Sequence, residues 1–191
     1  AGATRSWFDR SRRNGDQQHE RKIAPCGGNA QIEAEILTER PQRLEALKSY
    51  QILDTEAEQI YDGITVLAAH ICSVPVAMVS LVDESRQWFK SKIGLPQQQT
   101  PRDVAFCAHT ILKDEPLFVA DALTDSRFAD SALVTGEPGI RFYAGYPLVN
   151  PEGFALGALC VIDRKPRKLS AKQQEAMQIL ARQVMALLEL R

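Results

Sequence analysis

The chain has 191 residues, 45% hydrophobic and 25% charged, with 23 basic residues against 24 acidic ones. That is the composition of an ordinary globular domain, and the near-zero charge balance sets aside nucleic acid and an anionic membrane surface as main partners. No apolar run approaches the roughly 20 residues of a membrane span, and the N-terminal stretch lacks the apolar core of a secretory signal, so the expected location is the cytoplasm.

The four cysteines, Cys26, Cys72, Cys107 and Cys160, are widely spaced and form no Cys-x-x-Cys pair. This is a poor pattern for a zinc site or a disulfide framework, and it predicts buried thiols in a reducing compartment, with no metal.

Residues 1–30 read as a basic, polar extension. Arg5, Arg10, Arg12, Arg13, Arg21 and Lys22 face only Asp9, Asp16 and Glu20, with few apolar residues beyond Trp7, Phe8 and Ile23. Such a segment cannot bury enough surface to fold alone. It is either an arm that docks on a partner or a plain leader, and the leader is the simpler expectation. A single domain is expected over residues 31–191.

Within that domain QRLEALKSYQIL predicts a helix with Pro41 in its first turn and Leu44 and Leu47 on one face. Thr55-x-x-Glu58 reads as a capping box for a second helix, whose Ile60, Ile64, Leu67 and Ile71 make an apolar stripe of helical period ended by Pro75. VAMVSLVD (76–83) and RQWFKSKIGL (86–95) form an antiparallel hairpin. In its second strand Trp88, Lys90 and Lys92 share one face, Trp88 partly exposed, and Phe89, Ser91 and Ile93 share the other, with Phe89 in the core.

The stretch Thr100–Leu112, TPRDVAFCAHTIL, predicts a short helix capped by Asp103 and carrying Phe106, Cys107 and His109. A short strand, PLFVAD, precedes a polar connection over residues 121–139, of a length that often serves as a lid or binding loop. GIRFYAGYPLV and FALGALCVID form a second hairpin around Asn150-Pro151-Glu152-Gly153. Ser170-x-x-Gln173 caps a final helix, in which Met177, Leu180, Val184 and Leu187 form one apolar edge and Ile179, Ala186 and Leu190 another. Hairpins with segregated helices predict an α+β fold: five or six antiparallel strands, helices from both ends of the chain on one face, and the Thr100–Leu112 helix with the long loop on the other.

RLEALKSYQILDT, VSLVDESRQWFKSKIGL, TPRDVAFCAHTIL, VADALTDSRFAD and GIRFYAGYPLV with GFALGALCVIDRKPRKLS together resemble a GAF domain. The type is that found at the sensory end of bacterial histidine kinases and diguanylate cyclases. The resemblance covers about residues 38–190. It implies a six-stranded antiparallel sheet, a ligand pocket on one face and a helical homodimer interface on the other, coupled to an output kinase or cyclase domain. The chain is then part of a longer signalling protein or a free-standing regulator. The family does not name a ligand or cofactor.

Three sharper readings are weighed against the residues. GAF domains that carry a linear tetrapyrrole attach it through a Cys followed directly by His; here Ala108 separates Cys107 from His109. At about 100° per residue the two point roughly 200° apart, which argues against a covalent bilin and against a thiol–imidazole dyad. Some GAF proteins reduce methionine sulfoxide with several cysteines. Cys107 and Cys160 can meet, helix to strand, yet no neighbouring Lys or Arg marks either as an acidic thiol, and no enzyme is expected. The cyclic-nucleotide signature of the family is absent.

The expectation is a non-covalent small-molecule site formed by Asp103, Phe106, Cys107 and His109 on the short helix, Asp121, Arg127 and Phe128 on the loop, and Arg141, Tyr143 and Tyr146 on the strand that follows. Alternation sends Phe142 and Tyr146 to one face of that strand and Arg141 and Tyr143 to the other, and leaves open which pair meets the pocket. An Arg there suits a carboxylate or phosphate, while a structural pair with Asp103 or Asp121 is the plainer outcome. The alternative function is a ligand-free dimerisation module with its pocket filled by its own aromatic rings.

Overall fold

A computed structural model describes residues 41–191. The basic extension over residues 1–30, and residues 31–40, lie outside the described residues. Two helices, α1 (Pro41–Ser49) and α2 (Gln59–Cys72), lead into the hairpin β1 (Val76–Val82) and β2 (Arg86–Ile93). The short strand β3 (Gln99–Pro101) is followed by helix α3 (Phe106–Thr110), strand β4 (Leu117–Val119) and the four-residue helix α4 (Ala132–Thr135). The second hairpin, β5 (Phe142–Val149) and β6 (Ala155–Asp163), precedes α5 (Ala171–Glu189). The six strands form one sheet in the order β3-β2-β1-β6-β5-β4, and every neighbouring pair is antiparallel. β1, β5 and β6 are apolar along nearly their whole length because both faces of the sheet are covered.

The two faces have separate cores. On one, α1, α2 and α5 pack over Leu47, Tyr61, Val79, Leu81, Trp88, Phe142, Tyr146 and Leu159. On the other, α3 and the segment after β4 cover Met78, Phe89, Phe106, Cys107, Phe128, Tyr143 and Cys160. This is the arrangement expected of the sequence, with six strands.

Local expectations differ in four places. The Thr55–Glu58 capping box does not form: Glu58 is the N-cap residue of α2 but makes no capping bond. Its carboxylate instead meets Lys90 Nζ at 2.6 Å, and Thr55 Oγ1 also accepts from Lys90, at 2.8 Å. The expected stripe on α2 is off centre. The buried arc is Tyr61, Ile64, Thr65, Ala68, Ala69 and Cys72, with small side chains letting the helix lie close to the sheet, and Ile60 and Leu67 are about half exposed. Trp88 is buried, 3% exposed. Beside it a bulge puts Phe89 opposite Ser80 and Ser91 opposite Val79, with Lys90 between. Both Lys90 and Ser91 therefore reach the α2 side, and Ser91 Oγ donates to Asp62 at 2.6 Å. Finally, the N-cap of α3 is Ala105, with no side-chain capping bond, so Asp103 lies in the exposed turn before it. The Ser170–Gln173 capping box of α5 is present as expected, and α5 buries Met177, Ala181, Val184, Met185 and Leu188.

Candidate functional site

Between the sheet and α3 lies a cavity of about 70 Å³. Its floor is β1, β2 and the ends of β5 and β6, through Val76, Met78, Gln87, Phe89, Tyr143 and Ile162. Its walls are Ala105, Phe106 and Cys107 of the α3 region and Leu133, Pro138 and Ile140 of the segment after β4. Period-2 alternation puts Val76 and Met78, and Gln87 and Phe89, on this face together. The lining is almost wholly apolar. Gln97, Thr100, Asp163 and Arg164 also border it, and among its polar residues Gln87 stands apart: it is 5% exposed, its Nε2 lies 3.7 Å from Met78 Sδ, and its Oε1 has no hydrogen-bond partner. A buried amide oxygen without a donor is rare in a folded protein and costs about 1–3 kcal/mol.

Of the ten residues expected at the site, three line this cavity: Phe106, Cys107 and Tyr143. Phe128 stands directly behind them, its ring stacked on Phe106 at 4.1 Å with the planes 10° apart, and Tyr143 leans on Phe106 at 5.1 Å. His109 and Arg127 line a different pocket, of about 240 Å³, at the C-terminal end of α3 with Leu112, Lys113 and Leu117. There His109 meets the edge of Phe128 at 4.6 Å. Burial, and then the Arg127 charge, hold its pKa down to about 4. Arg127 is tied to Asp125 by two hydrogen bonds, at 2.9 and 2.6 Å.

The remaining four do not reach the cavity. Asp103 is exposed in its turn. Asp121 closes a turn of its own, accepting from Leu123 N at 3.1 Å. Arg141 pairs with neither Asp103 nor Asp121; it donates to the carbonyls of Val134 and Ile140, bracing α4 against β5. Tyr146 lies on the opposite face, in the helical core with Phe142, because its even-numbered position points away from Tyr143. The sequence reading missed Gln87, Met78 and Ile140. The alternation of β1 and β2, with Phe89 already placed in the core, was the signal that would have found the first two.

The two sulfur atoms of Cys107 and Cys160 lie 3.6 Å apart, fully buried under α3. Tyr143 Oη donates to Cys107 Sγ at 3.3 Å, and Thr110 Oγ1 is 2.6 Å from the same phenol. Gly145 makes room for this group: a Cβ there would fall 2.1 Å from Tyr143 Oη and 2.7 Å from Thr110 Oγ1. Burial opposes ionisation of Cys107, while hydrogen bonds with Cys160, Ser80 and Tyr143 favour it and carry its pKa below the ordinary thiol value. Burial pushes Cys160 and Tyr143 well above theirs. Cys107 and His109, two apart on α3, thus sit in different surroundings. Among the described residues no group of three His, Cys, Asp or Glu side chains is placed to hold a metal ion, and no helix is long and apolar enough to cross a membrane.

The profile of the GAF domain family matches residues 56–188. The chain belongs to that family. GAF domains are typically sensor modules of signalling proteins. This one is 47% identical over 136 residues to a cyclic di-GMP phosphodiesterase of Pseudomonas aeruginosa, an alignment covering 71% of this chain and 23% of that protein. The chain therefore spans less than a quarter of its relative. The fold is similar to that of the GAF domain of an Acinetobacter phosphoenolpyruvate-protein phosphotransferase (TM-score 0.54, 18% identity, covering 79% of this chain and 95% of that one). It is also similar to the blue-light absorbing form of the PixJ GAF domain of Thermosynechococcus elongatus (TM-score 0.56, 13% identity, 80% and 90% covered).

Proposed function

We propose that this GAF domain is the sensory part of a cytoplasmic signalling protein. It binds a small, mainly apolar molecule non-covalently between α3, the 121–139 segment and the sheet. The observation that carries the reading is Gln87, a buried acceptor with no donor in a mainly apolar cavity. A ligand offering one N–H or O–H to Oε1 removes that penalty. The cavity is well below the roughly 300–1,000 Å³ of a drug-sized site, so a molecule of more than a few atoms must part the Phe106–Phe128 stack.

Occupancy is passed to the helices through β2. Gln87 and Phe89 face the cavity, and Lys90, next in the strand, is held on the other face by Glu58 of the α2 cap. Glu58 also binds Arg191, just beyond α5, at 2.6 Å. One carboxylate thereby joins the pocket strand to both helices, and a ligand that moves β2 biases their packing. Those helices expose Ile60, Val66 and Leu67 of α2 and Ile179 of α5, which supports a homodimer through this face. The output domain, by likeness to the Pseudomonas aeruginosa relative, acts in cyclic di-GMP turnover; a kinase is the other output in keeping with the family.

Mass spectrometry of freshly purified protein, native and then denaturing, tests the reading. An added mass present only under native conditions is the expected result. A bare mass in both overturns it in favour of a ligand-free dimerisation module, a second reading that the Phe106–Phe128–Tyr143 packing supports by filling much of the pocket face.

A further inference from the structure

We propose that Cys107 and Cys160 form a peroxide-reactive dithiol that closes to an intramolecular disulfide and fastens α3 to the central strand β6. Three observations carry this. The sulfurs are already in contact at 3.6 Å, so bond formation needs them to close by about 1.5 Å. Their pairing is exclusive among the described cysteines, because Cys72 lies in the core on the opposite face of the sheet. Cys107 also lines the cavity while Cys160 stands behind it, which assigns the two thiols different parts.

A hydroperoxide is small enough to enter a cavity of about 70 Å³, where a bilin or a nucleotide is not. Cys107 sulfur attacks the peroxide oxygen. The O–O bond breaks, the Cys107 thiol proton leaves with the departing alcohol or water, and a sulfenic acid remains on Cys107. Cys160 sulfur then attacks the Cys107 sulfur, the S–OH bond breaks, and the Cys160 proton leaves with that hydroxyl as water. In sum two thiols and one hydroperoxide give one disulfide, one alcohol (or water) and one water; the sulfurs lose two electrons and the peroxide bond takes them up.

Tyr143 and Thr110 line up behind the reacting sulfur. Thr110 can donate to Tyr143 Oη, whose own hydrogen points to Cys107 Sγ, so the thiolate form of Cys107, the form that attacks, meets a donor. In a reducing cytoplasm the pair rests as thiols and a dithiol reductant restores it, as expected of a transient switch and not of a structural disulfide. The sequence reading set these cysteines aside because no Lys or Arg lies beside them. The structure supplies a neutral donor chain and a partner thiol instead.

The test treats the reduced, folded protein with hydrogen peroxide, alkylates it after denaturation and digests it with trypsin. The expected result is a loss of about 2 Da, reversed by dithiothreitol. Alkylation falls from all four cysteines to two, and the Asp103–Lys113 peptide is joined to the Phe142–Arg164 peptide. In Cys160→Ala the same dose leaves Cys107 about 16 Da heavier and trapped by dimedone. The proposal is overturned if the two peptides stay separate in the wild-type protein, or if Cys107 is cross-linked to Cys26 or Cys72. The wild-type peptide map decides the matter even if the alanine variant does not fold.

Discussion

The two faces of the sheet are built to different standards. On the helical face the buried Lys90 is satisfied, by a carboxylate, a hydroxyl and the carbonyl of Glu56, while the buried Tyr146 hydroxyl is left without a partner. On the pocket face there is a cavity, an amide oxygen without a donor and two thiols in contact. The denser helical packing and the looser packing around the cavity are separated by one layer of strands. On the proposed reading, the helical face holds the domain together and the pocket face gives up stability for ligand binding.

Substitutions separate the two roles. Leu159→Ala, fully buried in the helical core, should cost about 3 kcal/mol in urea denaturation, as cavity-forming changes there do. Gly145→Ala drives a methyl into Tyr143 and Thr110 and should cost about 2 kcal/mol. It should also abolish peroxide-driven cross-linking, which Leu159→Ala should leave intact at temperatures where the variant is folded.

His109 gives a pH dependence confined to the pocket side. Its pKa is held down to about 4 in the folded protein by burial and Arg127, against about 6.5 in the unfolded chain. Between those values the unfolded state binds more protons, so its contribution to stability is complete above about pH 6.5 and is lost as the pH falls towards 4. His109→Gln should flatten the stability profile in that window by an amount on the order of 1–2 kcal/mol, read from urea midpoints at pH 4.5 and 7. The smallest effect has the opposite sign. Gln87→Leu removes the unpaired amide and should stabilise the protein by up to about 1 kcal/mol, while eliminating any mass seen only under native conditions.

The strands and the last helix were legible because their signals are local: apolar runs, Val-rich in β1 and aromatic in β5, for β1, β5 and β6, and the Ser170–Gln173 box for α5. What escaped depends on partners distant in sequence. The capping box at Thr55 and Glu58 is a sound local pattern, overridden by Lys90, 32 residues from Glu58. The bulge at Lys90 breaks an alternation that reads cleanly on paper and turns Lys90 and Ser91 to the same face. Alternation sorted Tyr143 from Tyr146 correctly but carries no information on which face holds the pocket. Arg141 read as an anion-binding side chain or, more plainly, as a partner of Asp103 or Asp121; it donates instead to the carbonyls of Val134 and Ile140, and backbone carbonyls leave no mark in sequence.

Amide hydrogen exchange, resolved to peptides, measures the contrast between the faces directly. Amides of α3 and of the 121–139 segment should exchange through local openings at least about 2 kcal/mol easier than those of β1, β6 and α5, which should open only near the global limit. Equal protection on the two faces would contradict the division of labour described here.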